Sequence, residues 1–172
     1  LSRPEDIQRV FHESIARWGK VDIAVNNLGG PPPGELQEFT DEQWQAAFDL
    51  SFSSAVRLNR LVLDGMRERR HGRIVTVLSK TIKEPEGGLG LSTVARTALS
   101  SYSKLLAQEV AADGITVNAV LPGSIETGRL RSVIESQATA NDRTVDAQAG
   151  LRLASVPAGR FGTPGEVGDL IA

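Results

Sequence analysis

An α/β fold built on a parallel sheet is what this sequence predicts, and three apolar runs predict it. VDIAVNN (21–27), GRIVTVL (72–78) and GITVNAVL (114–121) are short, end near Gly, Asn, Ser or Pro, and alternate with longer stretches of helical periodicity. Strand alternating with helix argues for right-handed parallel crossovers. Nearly continuous apolar strands fit a sheet with helices on both faces. Ligands of such sheets lie beyond the carboxyl ends of the strands, which puts Asn26, Asn27, Gly29 and Gly30 where one is expected. A strand followed by a plain glycine turn is the simpler alternative at this point.

The elements follow in order. Ser2 with Glu5 forms a capping box, and Ile7, Val10, Phe11, Ile15 and Trp18 recur at helical spacing until Gly19. The first strand occupies 21–25. A loop from Gly29 to Gly34 carries Pro31 to Pro33, read as a stiff lip over a cleft, and leads to Thr40, which with Gln43 predicts a second capping box. One long helix is expected from Asp41 to about Arg70, with Trp44, Phe48, Phe52, Val56 and Leu63 on its apolar side and Gly72 as its end. A strand over 73–78 stops at Ser79. A helix from about Leu91 to Ala112 then ends at Gly114, and a strand over 115–121 runs into Pro122-Gly123. The remainder reads as helices, the last opening with Thr163, Pro164 and Glu166. No phosphate-binding GxGxxG turn occurs, because Gly87, Gly88 and Gly90 follow no strand and lack the spacing. With so few strands and abrupt ends, the chain is expected to be a fragment.

Composition narrows the function classes. The 172 residues suit one domain, 1–172, and 40% hydrophobic with 23% charged residues are ordinary globular values. A net charge of −2 leaves no electrostatic footprint for nucleic acid. Arg67, Arg69, Arg70, His71 and Arg73 are offset by Asp64 and Glu68 and read as a solvated helix end. No stretch approaches the ~20 apolar residues of a membrane span, and no signal-peptide pattern opens the chain. The absence of cysteine excludes disulfides and thiolate chemistry and fits a cytoplasmic protein. His12 and His71 are far apart, which argues against a His-based metal site or a Ser-His-Asp triad, and no metal is expected.

Several segments together resemble the short-chain dehydrogenase/reductase family over essentially the whole chain: NNLGG, the helix start FTDEQW, GRIVTVLS, GITVNAVLPGSIET and GRFGTPGEV, in family order. The resemblance implies a Rossmann-like doubly wound parallel sheet, three-layer α/β/α and here incomplete at both ends. It implies binding of NADP or NAD and hydride transfer between nicotinamide and a carbonyl or alcohol, as in a 3-oxoacyl reductase. The family's glycine-rich pyrophosphate turn and adenosine-ribose selector would precede Leu1 and its last strand would follow Ala172, so dinucleotide binding by these 172 residues alone is expected to be weak or absent. A homodimer or homotetramer through the helices at 41–70 and 91–112 is implied as well.

The family's chemistry uses Asn, Ser and a Tyr-x-x-x-Lys pair. Ser79 falls on the family serine; thirteen residues on, Ser92 stands at the tyrosine and Arg96 at the lysine, while Ser51 stands at the asparagine. A phenol of pKa near 10 can be brought toward neutrality by a cation, whereas a serine hydroxyl is a far weaker acid. Arg96 can present donors to ribose hydroxyls but cannot release a proton at physiological pH. Tyr102 is the only tyrosine and lies too far along the helix to substitute. Lys80 and Lys83, just past Ser79, are candidate acids if desolvated. Asn27, Gly29, Pro122, Gly123, Ile125 and Thr127 match cofactor-holding positions, although Thr127 could also simply cap a helix. Asn26 is read as a strand-to-strand tie. Ser92 and Arg96, at i and i+4, share a helix face, and register with Ser79 favours the cleft over a plain surface pair. A non-catalytic dinucleotide-binding or scaffold homologue is the alternative reading.

Overall fold

The computed structural model describes residues 3–172. Their strands, β1 Ile23–Asn27, β2 Gly72–Val77 and β3 Ile115–Val120, form one parallel sheet in the order β1-β2-β3. Asn27 lies opposite Val77, and Val77 opposite Val120, so the three carboxyl ends emerge side by side. Packing divides the chain into two compact units, Leu1–Leu121 and Pro122–Ala172.

In the first unit, α1 (Pro4–Trp18) carries proline in its first turn and ends at Gly19 in the left-handed region. The Ser2–Glu5 capping box lies outside the described residues. Thr40 and Gln43 do form their box: the Thr40 hydroxyl accepts the Gln43 N–H at 3.3 Å, and the Gln43 amide oxygen accepts the Thr40 N–H at 2.9 Å. The long helix expected from Asp41 is interrupted. It comprises α2 (Asp41–Phe48), a π-helical turn (Asp49–Ser53) and α3 (Ser54–Arg69). The turn is held at its first residue, where the Asp49 carboxylate accepts from Gln45 at 3.2 Å and from Arg57 at 3.0 Å. A π-turn shifts the helical phase by a single residue, too little for apolar spacing to reveal. α4 spans Gly90–Val110 and closes in a 3₁₀ turn ending at Gly114, whose φ of +74° and close approach to the Arg70 carbonyl admit no side chain.

Ala24, Ile74 and Ile115 of the sheet pack with Val62, Leu63 and Met66 of α3 and Leu106 and Val110 of α4. Within β1 burial alternates. Ala24 and Asn26 are inside, whereas Ile23 and Val25 are 64% and 42% exposed. Asn26 is tied to helix rather than strand: its Nδ2 donates to Asn59 Oδ1 on α3 at 3.0 Å, with both residues buried.

In the second unit, α5 (Gly128–Ala140) packs against α6 (Val145–Ala154), and α7 (Pro164–Ile171) follows. Thr127, Thr144 and Thr163 cap these helices through their hydroxyls. The segment Ser124–Glu126 pairs with Gly162 through bonds of 3.0 and 2.8 Å. No helix among the described residues is long and apolar enough to cross a membrane.

Candidate active site

The aligned strand ends bring the loops after β1 and β2 beside the first turns of α4, and there the sequence-predicted residues of the first unit meet. Arg96, buried in α4, organises them. Its Nη1 donates to the carbonyls of Val77 (2.8 Å) and Leu78 (3.0 Å), and its Nη2 to those of Leu28 and Gly29 (3.3 Å each). Its Nε donates to Ser92 Oγ at 3.2 Å. A guanidinium has five N–H donors, and these five bonds use them all. Arg96 thus clamps the ends of β1 and β2 together, and the ribose-holding role implied by the family register would require it to give those bonds up.

Ser51 is completely buried within the π-turn, where its hydroxyl donates to the Gly29 carbonyl at 3.3 Å. That oxygen also accepts from Arg96, so two of the three altered positions converge on one atom while Ser92 receives the guanidinium's remaining N–H. Ser51 has no open path to a substrate and reaches the site only through the backbone.

Ser79 and Ser92 are only partly buried. Ser79 sits where β2 runs into a 3₁₀ turn, Lys80–Ile82, and its Oγ accepts the Thr81 N–H at 3.2 Å and the Thr81 hydroxyl at 3.0 Å. Asn27 and Gly29 lie exposed at the end of β1. The proline loop is anchored to the segment before α4 by a bridge between Gly34 and Leu89, with Leu36 lying directly on Gly90. A side chain at Gly90 would require Leu36 to move aside.

The lysine-acid reading fails on its own condition, which is burial. Lys80 is paired with Glu86 at 2.6 Å and approaches Glu84 at 3.9 Å, with its side chain 35% exposed, and Lys83 is exposed. Tyr102 belongs to the core. Its ring stands edge-on to Phe52 at 6.0 Å, and burial pushes its phenol above the usual range.

Of the positions in the second unit, Thr127 caps α5 and donates to the Ile125 carbonyl at 3.2 Å, while a side chain at Gly123 would meet open space. A nicotinamide dinucleotide therefore fits this chain in part. In the first unit Asn27 and Gly29 offer accessible backbone, whereas Arg96 keeps its donors for the protein.

Three features of the site escape sequence reasoning: Thr81 as the partner of Ser79, the π-turn that carries Ser51, and the Gly29 carbonyl as the acceptor shared by Ser51 and Arg96. Only Thr81 leaves a trace, as the Ser-x-Thr that follows an apolar strand.

Ser79 follows the second strand of a parallel sheet, and thirteen residues on Ser92 stands in the first turns of α4 beside Arg96; the chain belongs to the short-chain dehydrogenase/reductase family. The matching family profile, described as enoyl-(acyl carrier protein) reductase, covers residues 1–172. The chain is 38% identical over its full length to the 3-oxoacyl-[acyl-carrier-protein] reductase of Escherichia coli, covering 66% of that protein. It is 37% identical, over 92% of its length and 61% of the relative's, to the monensin polyketide synthase putative ketoacyl reductase of Streptomyces virginiae. Among solved structures, an actinorhodin polyketide ketoreductase with NADPH superposes with a TM-score of 0.93 at 31% identity, covering 99% of this chain and 66% of the other. The L-sorbose reductase of Gluconobacter frateurii, complexed with NADPH and L-sorbose, superposes with a TM-score of 0.87 at 30% identity, covering 98% of this chain and 65% of the other. The chain thus spans about two thirds of the length of the curated relatives it matches.

Proposed function

We propose that this chain forms the substrate side of an NAD(P)-dependent oxidoreductase that transfers hydride between nicotinamide and a carbonyl or alcohol, with a 3-oxoacyl compound as the substrate class. The observation that carries this reading is the meeting of Ser79, Ser92, Arg96 and Ser51 at the carboxyl ends of β1 and β2, together with relatives named as ketoacyl reductases. In it Ser79 and Ser92 face the substrate oxygen, Arg96 and Ser51 fix the strand ends, and Asn27, Gly29, Pro122, Gly123, Ile125 and Thr127 border the cofactor. The bound cofactor supplies the hydride. The assembly is a cytoplasmic homodimer or homotetramer through the helices at 41–70 (α2 and α3) and 91–112 (α4); Val94 and Leu105, eleven residues apart on one face of α4, are 41% and 60% exposed and give that interface its apolar positions.

A second reading, a dinucleotide-binding or scaffold homologue without turnover, is favoured by one observation: every N–H of Arg96 is committed to the protein. The full-length protein decides between them. Steady NAD(P)H oxidation over a panel of 3-oxoacyl esters and ketones supports the oxidoreductase. Nucleotide binding by calorimetry without turnover, and turnover gained in the S92Y/R96K double variant, supports the second reading.

A further inference from the structure

Ser79 is the one position of the family's catalytic set that keeps its residue type, and its bonding differs from that of its neighbours. Ser51 donates its proton to a carbonyl, whereas Ser79 Oγ accepts twice from Thr81, through the backbone N–H at 3.2 Å and the side-chain hydroxyl at 3.0 Å. A serine oxygen has two lone pairs and one proton. With both lone pairs filled, Ser79 has only donation left. Thr81 is 3% exposed and Ser79 only partly buried, so the fixed partner is inside and the available proton is on the accessible residue. A hydroxyl that accepts while it donates is polarised into a stronger donor, the more so away from water.

We infer that Thr81 is a positioning residue that makes Ser79 an obligate hydrogen-bond donor to the oxygen of a carbonyl substrate. The inference rests on the oxidoreductase reading for its substrate and deepens it. The N–H bond alone suffices to cap the 3₁₀ turn Lys80–Ile82. The hydroxyl bond is additional, and the stiff χ1 of a buried threonine holds it in place. In a site with serine at the family's tyrosine position, the carbonyl oxygen depends more heavily on the donor that remains.

Thr81→Val keeps the backbone N–H and the branched shape and removes only the hydroxyl; Thr81→Ser keeps the hydroxyl, and Thr81→Ala serves if the valine variant does not fold. In the full-length protein, the valine or alanine variant is expected to lose about tenfold in kcat with the KM for NADPH unchanged, while Thr81→Ser stays within about twofold, as for one polarising bond lost or kept. The infrared C=O stretch of a bound ¹³C-labelled ketone is expected to move to higher frequency in the valine variant and to remain in place in the serine variant, a readout that general loosening of the turn does not produce. Equal kcat and equal C=O frequency in wild type and Thr81→Val overturn the role of Thr81. If the wild type binds the ketone without turnover, the oxidoreductase reading alone fails, and the infrared comparison decides for or against Thr81. A wild type that neither binds the ketone nor turns it over overturns both.

Discussion

Replacing Arg96 with methionine takes the guanidinium's donors from the carbonyls of Leu28, Val77 and Leu78 and leaves Gly29 with Ser51 alone, in a part of the molecule where Arg96 itself is only 9% exposed. Each buried acceptor deprived of its partner carries a desolvation penalty, so the Arg96→Met variant is expected to unfold about 2–4 kcal/mol more easily, as read from urea denaturation midpoints. Arg96→Lys is expected to be destabilised too, because an ammonium has three N–H donors on one nitrogen and cannot span both strand ends. A lysine at this position therefore carries the family's charge without the clamp. That Arg96 stands at the family's lysine position was legible from its distance to Ser79. Its inward direction was not, because its acceptors are backbone oxygens from residues 18 to 68 positions away and no side-chain pattern encodes them.

At the level of the element, caps were the most legible features and the π-turn the least. Thr40 with Gln43 announces its helix because the capping bonds join residues three apart, and that box forms as read; Thr163 and Glu166, read as the opening of the last helix, form a second one. Asp49–Ser53 escaped because the hydrophobic positions on either side of it remain plausible for one uninterrupted helix. The tie from Asn26 to Asn59 was misplaced onto a neighbouring strand for a related reason: a buried asparagine declares a need for partners but not their address. The box at α7 also carries a pH signature. Arg160, through its side-chain bonds, and then the Thr163 N–H hold the Glu166 carboxyl at about 2, below its ordinary 4.5. A carboxyl whose pKa is lower in the folded state contributes its stability above the unfolded value and loses it as the pH falls. The contribution is therefore complete above about 4.5 and fades through about 2. Glu166→Gln keeps an acceptor for the cap and removes the charge. Its thermal midpoint is expected to lie below that of the wild type near neutrality, and the gap is expected to close across that acid window.

For the whole molecule, what the sequence reveals best is the order and direction of the strands, since three apolar runs separated by helices of sufficient length leave little choice but a parallel sheet. What it conceals is which apolar positions of an element these residues themselves cover, since the run in β1 does not tell Ala24 from Ile23 and Val25. The same holds for α4, whose inner face packs Leu99, Leu106 and Val110 while Val94 and Leu105 stand outside. If the proposed assembly forms through that face, Leu105→Glu sets like charges against each other across a two-fold axis. The dimer dissociation constant measured by analytical ultracentrifugation is then expected to rise at least about tenfold, with the monomer's circular dichroism unchanged.

The extra residue accommodated between α2 and α3 has a consequence for how this stretch can vary. A π-helical turn takes in one residue more than the α-helical turn it replaces, so the faces before and after it keep the directions of one continuous helix. Excising one position from Asp49–Ser53 would therefore leave Val62, Leu63 and Met66 on the sheet but close the bulge that carries Ser51, and its bond to the Gly29 carbonyl would go with it. In this stretch residue identities are negotiable, as serine in the asparagine position attests, but the bulge depends on the residue count.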